Sequence, residues 1–400
     1  MPAISDAAST STRPLRSADS VSRGGSTTNR SRSSSPSKLS PQNYRAQVLD
    51  RVGIRIDVEV PDEGLEQLLP PQGDAEVRTV GQELYAGARA LLERQTANEV
   101  EWAGLLNTAI HSLMQEQPDQ LICLPNRDWQ SCLKPVALTH KLTSGLPQKR
   151  HPSDYPSPDQ SQSTTAAAAP FANQPHLPPP QQRLKLEPAP ARLQPKTPRP
   201  DLTIGLNDSD ASWDADGEVW ARAGLRGRDV KGILADLQAT GTGGEDAAAA
   251  PLITDPCTAS PSGLRFPFLV VEAKSGGSAS IADAENQAAV AGTCALKILR
   301  SVAGEQQQQQ DAAADADAPF KMRMFSLTTE GPTHVLWAHY RSDSSEWAMV
   351  WLGAYRVTNR RSAGELVAIV ARILRWGARE FRDWVRASVV RYLGRISAGD

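Results

Sequence analysis

An aspartate heading one apolar segment and a Glu-Ala-Lys triplet ending another are the residues best suited to chemistry in this 400-residue sequence. Asp201 follows Pro200 and opens Leu202-Thr203-Ile204-Gly205-Leu206, and Glu272-Ala273-Lys274 closes Phe266-Pro267-Phe268-Leu269-Val270-Val271. The second run is continuously apolar, the pattern of a strand buried on both faces. Strand alternation puts Glu272 and Lys274 on one face and Ala273 on the other. Two charged groups ending a buried strand are costly unless they are paired or bind an ion. A hard cation such as Mg²⁺ takes carboxylate oxygens and keeps several waters. Asp201 and Glu272 are therefore candidate metal ligands, and Lys274 is suited to positioning or deprotonating a water. That set suits in-line attack on a phosphodiester. A plain strand-end ion pair is the simpler alternative.

The elements expected to position this set follow from periodicity. Arg45–Leu49 reads as a short helix and Gly53–Val58 as a strand. Residues 76–115 read as helix with a break near Thr96, where Thr96 with Glu99 and Asn98 with Glu101 are equally good capping boxes. Asp201–Leu206 reads as a short strand and Asp229–Leu237 as a helix. Phe266–Lys274 is the clearest strand, and a helix rich in small residues follows it over Ile281–Val302. Three further strands are expected at Lys321–Thr328, Thr333–Tyr340 and Trp347–Tyr355. A last helix begins at the capping box Ser362-Ala363-Gly364-Glu365. No internal repeat is visible.

Composition divides the chain. Residues 1–40 hold 13 Ser and almost no large apolar residues, so a disordered Ser/Arg-rich tail is expected over 1–43. A helical N-terminal part spans 44–144. A Pro/Gln/Ala-rich linker or insertion covers 145–198. The core part occupies 199–396, with insertions at 207–262 and 303–319.

The segments Arg199–Leu206, Phe266–Ser275, Ala284-Glu285-Asn286-Gln287-Ala288-Ala289 and Val335–Tyr340 resemble the PD-(D/E)XK nuclease superfamily. More narrowly, they resemble its nuclease-like members common in fungi. The likeness spans roughly residues 44–393. It implies an α/β fold with a restriction-endonuclease-like core, a mixed central sheet flanked by helices. It implies Asp201 and Glu272 as ligands of Mg²⁺ (or Mn²⁺), Lys274 as catalytic, and Gln287 beside the site. Glu101 corresponds to a helical acid near the metal, although a Glu in a first helical turn is commonly a cap. Glu272 lies 71 positions after Asp201, a longer gap than compact members have, so Asp255, before Pro256, is a rival first ligand. The implied partner is DNA or RNA.

Other features carry less. Asp208, Asp210, Asp214, Asp216 and Gly217 form an acidic run, but the calcium-loop register that ends at Gly217 puts Ala223 where Glu is required. Arg372, Arg375, Arg379, Arg382 and Arg386 form one helical stripe, read first as the wet face of an amphipathic helix and second as a phosphate track. His334 and His339 fall on opposite faces of one strand. The six His lack zinc-site spacing, and the four Cys make no disulfide framework. A formal net charge of −2 excludes a uniformly basic nucleic-acid binder. No apolar run approaches a membrane span, and the N-terminus does not resemble a secretory leader. An intracellular location, nuclear or cytoplasmic, is expected. Two other functions compete with a nuclease: a nuclease-like binding module that no longer cuts, and an interaction protein whose tail and linker recruit partners.

Overall fold

The computed structural model describes residues 39–58, 75–94, 97–136, 194–213, 217–222, 229–239, 252–274, 280–303, 322–342 and 346–398, with Gly224 and Gly227. The expected tail lies outside these residues as far as Lys38, and so do 145–193 of the linker and the Gln306–Gln310 run.

The chain opens with α1 (Pro41–Tyr44), which Ser40 caps by accepting from the Asn43 N–H. A wide helical turn at Arg45–Leu49 and a tight one at Asp50–Val52 lead to β1 (Ile54–Ile56). Two long helices follow, α2 (Ala75–Glu93) and α3 (Glu99–Met114). Of the two caps open in the sequence, Asn98 with Glu101 is formed, each side chain taking the other's backbone N–H; Thr96 lies outside the described residues. Next come β2 (Leu121–Pro125) and β3 (Leu202–Asn207), then the short helices α4 (Asp210–Trp213), α5 (Glu218–Arg222) and α6 (Val230–Ala239). The core continues through β4 (Leu264–Lys274), α7 (Ile281–Ala303), β5 (Met324–Glu330), β6 (Thr333–Arg341) and β7 (Trp347–Arg356). Helices α8 (Arg360–Trp376) and α9 (Arg382–Ala398) close the chain, joined by a wide helical turn at Gly377–Phe381.

The strands form one mixed seven-stranded sheet in the order β1-β7-β6-β5-β4-β3-β2. The β4–β5 and β1–β7 pairs are parallel and the rest antiparallel. A parallel pair needs a crossover, and α7 supplies it between β4 and β5. The fold is thus α/β, a mixed central sheet flanked by helices. The structure describes α1 from Pro41 inside the expected tail and Gln194–Pro198 inside the expected linker, and two elements also differ from the sequence reading. Strand β2 was not anticipated, and α8 starts before Ser362. Its cap is Asn359, which accepts from the Ser362 N–H at 3.1 Å, while the Ser362 hydroxyl accepts from the Arg356 N–H at 2.8 Å. Glu365 instead pairs with Arg361 one turn earlier.

Small residues set how closely the layers approach. On α7, Ala284, Ala288, Ala291 and Ala295 are wholly buried. A Cβ added at Gly292 would stand 2.2 Å from Nδ1 of His339. That ring is held by Ser326, whose hydroxyl lies 2.8 Å from its Nε2. The face carrying Ser326 and His339 therefore meets α7. Elsewhere, Phe268, Phe325, Trp376 and Phe381 form an aromatic cluster with centroid separations of 5.0–6.0 Å. Gly377 lies against the Phe268 ring, where a Cβ would come within 2.2 Å of it.

Two outcomes follow from this packing. Gly292→Ala is expected to destabilise the fold by about 1–3 kcal/mol, as overpacking does, measured by urea denaturation. Burial lowers the pKa of His334 to about 4 and of His339 to about 3. Both rings stay neutral when folded and gain a proton on unfolding below about pH 6.5. Their stabilisation is full above that pH and is lost as pH falls. Each should cost about 1.4 kcal/mol per pH unit between roughly pH 6 and 4. A urea midpoint series across that range in wild type, His334→Phe and His339→Gln reads the slope, which should flatten in each variant.

Candidate functional site

Register brings the distant acids together. Leu202 of β3 pairs with Val271 of β4, so Asp201 stands beside Glu272 although 71 residues separate them. Asp201 Oδ2 accepts the Ala273 N–H at 2.6 Å, which fixes its carboxylate against the end of β4. Its own carbonyl accepts the Asn126 N–H at 3.1 Å, extending the β2–β3 ladder past the sheet.

Glu272 is 2% exposed and pairs in register with Thr328 of β5. The Thr328 hydroxyl accepts the Trp337 indole N–H at 3.0 Å. Because Thr328 lies two residues from Ser326, Glu272 faces α7. Burial pushes the Glu272 carboxyl well above the ordinary range. The Lys274 charge opposes that shift and the Asp201 charge adds to it. Lys274 lies opposite Glu330 in register, and its Nζ donates to the Ala273 carbonyl at 2.7 Å. Glu330 in turn accepts the Ile281 N–H at 3.2 Å, which ties the start of α7 to this end of the sheet.

The other expected site residues are placed as follows. Gln287 is half-buried on α7, beside the stripe that meets the sheet. Among the described residues no hydrogen bond joins it to either acid. Glu101 caps α3, where its carboxylate accepts the Asn98 N–H at 2.9 Å and lies 3.6 Å from Arg94. It is not among the charges acting on Glu272.

Asp255 is wholly buried and serves its own loop. It accepts the Cys257 N–H at 2.9 Å, the Ser262 N–H at 2.8 Å and the Ser262 hydroxyl at 2.9 Å. Ser262 stands two residues before β4, whereas Glu272 lies eight residues along it, about 26 Å at strand rise. Asp201, not Asp255, is the acid beside Glu272. Asp208 of the acidic run is buried too, 3.4 Å from Arg265 and 3.9 Å from Lys231; Asp214 and Asp216 lie outside the described residues. The Arg stripe is partly spent on internal pairs. Arg375 holds Glu116 at 3.0 Å, and Arg382 and Arg386 hold Asp383 at 3.3 and 3.4 Å.

Sequence reasoning missed the framing by Asn126 and Glu330. The sequence signal for the first is Pro125-Asn126, two turn-favouring residues directly after an apolar run. Among the described residues, no group of three or more His, Cys, Asp or Glu is gathered to hold an ion. Asp201 and Glu272 still fit Mg²⁺ or Mn²⁺, because such ions are commonly bound through one or two carboxylates plus waters and substrate phosphates. The fit rests on a buried, charge-penalised carboxylate beside a second acid.

Burial that raises the Glu272 pKa fixes the sign of a pH dependence. Its raised pKa stabilises the fold below the ordinary Glu range, and that gain is lost as pH rises. Glu272→Gln should therefore raise the melting temperature at pH 7 in chelator, with the difference shrinking toward pH 4. Differential scanning calorimetry checks this.

Residues 246–389, which hold β4 through the first half of α9, match the model of a domain of unknown function, DUF7924. No curated protein and no solved structure matches the chain.

Proposed function

We propose that the protein is a divalent-metal-dependent hydrolase of nucleic-acid phosphodiesters. The observation that carries this reading is the buried Glu272 carboxyl with the Asp201 carboxylate beside it and the Lys274 ammonium on the same face. A fold maintains such a costly arrangement readily where a cation offsets the cost. Asp201 and Glu272 would hold the ion. When bound, it would neutralise phosphate charge and lower the pKa of a water.

The chain's own groups do the rest. The Ala273 N–H orients Asp201. Burial around Glu272 excludes bulk water and strengthens every charge interaction there. Lys274 supplies positive charge and a movable proton at Nζ, anchored by the Ala273 carbonyl. Gln287, on the helix facing the site, is suited to contact substrate or water.

The test uses the full chain with end-labelled single- and double-stranded DNA and RNA, in Mg²⁺, Mn²⁺ or EDTA. Cation-dependent cleavage is expected, reduced about 100-fold or more in Glu272→Gln and Lys274→Ala. No cleavage by wild type, or equal cleavage by Glu272→Ala, would remove the hydrolase reading. Binding without turnover that survives Lys274→Ala would select the non-cutting module.

A further inference from the structure

Beside Asp201 the chain builds a rigid basic rim that the chemistry above does not use. From Gln194 to Pro200 it forms neither helix nor strand. Pro195, Pro198 and Pro200 are buried, while Lys196, Thr197 and Arg199 between them are exposed. Proline fixes φ and donates no N–H, so this strap holds its shape without ladder bonds. It is pinned at two points along its middle. The Lys196 N–H donates to the Tyr44 hydroxyl at 3.2 Å, and the Pro198 carbonyl accepts from the Trp129 N–H at 3.0 Å.

Alongside runs Asn126-Arg127-Asp128, exposed throughout. Asn126 adopts φ 49° there, a conformation that Asn tolerates but most residues avoid. Its N–H on the Asp201 carbonyl puts Arg127 one residue along the chain from that contact, and the Arg127 charge also acts on Cys257. Arg199 is two residues from Asp201. Its one acidic neighbour on the rim, Asp128, lies 3.7 Å away with both side chains more than 60% exposed. Such a pair is worth little and exchanges easily for a phosphate.

We propose that this rim binds the sugar-phosphate backbone of a nucleic acid, with Arg127, Lys196 and Arg199 as the phosphate contacts. The proposal rests on the hydrolase reading for its choice of polymer. It assigns the binding surface to these residues, not to the arginines of α8 and α9. Preorganisation favours it, because three cations held on a pinned backbone lose little freedom on binding. Thr197, exposed between them, offers a further hydroxyl donor.

The experiment is fluorescence anisotropy in EDTA, with labelled single- and double-stranded 20-mers and the full chain, across a salt series. EDTA suppresses cleavage, so binding is read apart from catalysis. The triple variant Arg127→Gln, Lys196→Gln, Arg199→Gln should bind at least about 10-fold more weakly at low salt. Its log-log salt slope should flatten by about 2–3. A control removes the same charge from exposed positions elsewhere: Arg360→Gln, Arg361→Gln, Arg379→Gln. It should bind like wild type. Matching melting temperatures show that each variant is folded, and Lys196→Glu alone gives a second reading of the rim. No binding by wild type, equal losses in the two triple variants, or competition by polyglutamate as strong as by the oligonucleotide would overturn the proposal. Rim-dependent binding in a protein that cuts nothing with Mg²⁺ or Mn²⁺ would uphold it while removing the hydrolase reading.

Discussion

A carboxylate that water cannot reach must find compensation within the protein or from an ion, and Glu272 is that carboxylate here. Its strand is buried along nearly its whole length. Lys274 offsets part of the penalty while Asp201 increases it. An apolar residue of similar volume would satisfy the packing at less cost. Packing alone therefore does not account for two acids and an amine at this one end of the sheet.

The remaining architecture brings that end into being. An antiparallel β3–β4 pair closes a separation of 71 residues by register. The parallel β4–β5 pair forces a crossover, and α7 starts where β4 stops. Glu330 on the Ile281 N–H and Arg45 on Glu285 hold the start of α7 and the first helical segment to the same end. Alanines and Gly292 let α7 lie close on the sheet face that Glu272 shares. At the opposite end, Asp255 and the buried Arg265–Asp208 pair secure the loop that delivers β4.

Much of this was legible in the residues. The unbroken apolar run of β4 marked a central strand, and the alanine stripe of α7 marked a helix packed on a sheet. The pairing of Glu272 with Lys274 on one face followed from alternation. Features set by tertiary contact were not legible. Strand β2 is five residues with a proline, too short to show a period, and it exists because β3 pairs with it. The start of α8 was misplaced because Ser362 and Glu365 mimic a capping box, while Asn359 was better placed to receive the first free N–H groups. Asp255 and Asp201 look alike as acids beside prolines. Only the hydrogen bonds around Ser262 and Ala273 separate a loop staple from a residue at the site.

The most direct measurement is isothermal titration of the metal-free protein with Mn²⁺ and Mg²⁺ at pH 7, in wild type, Asp201→Asn and Glu272→Gln. The account predicts one saturable site in wild type and its loss in both variants, with folding preserved. Binding that persists undiminished in both variants, or none in wild type, would contradict it.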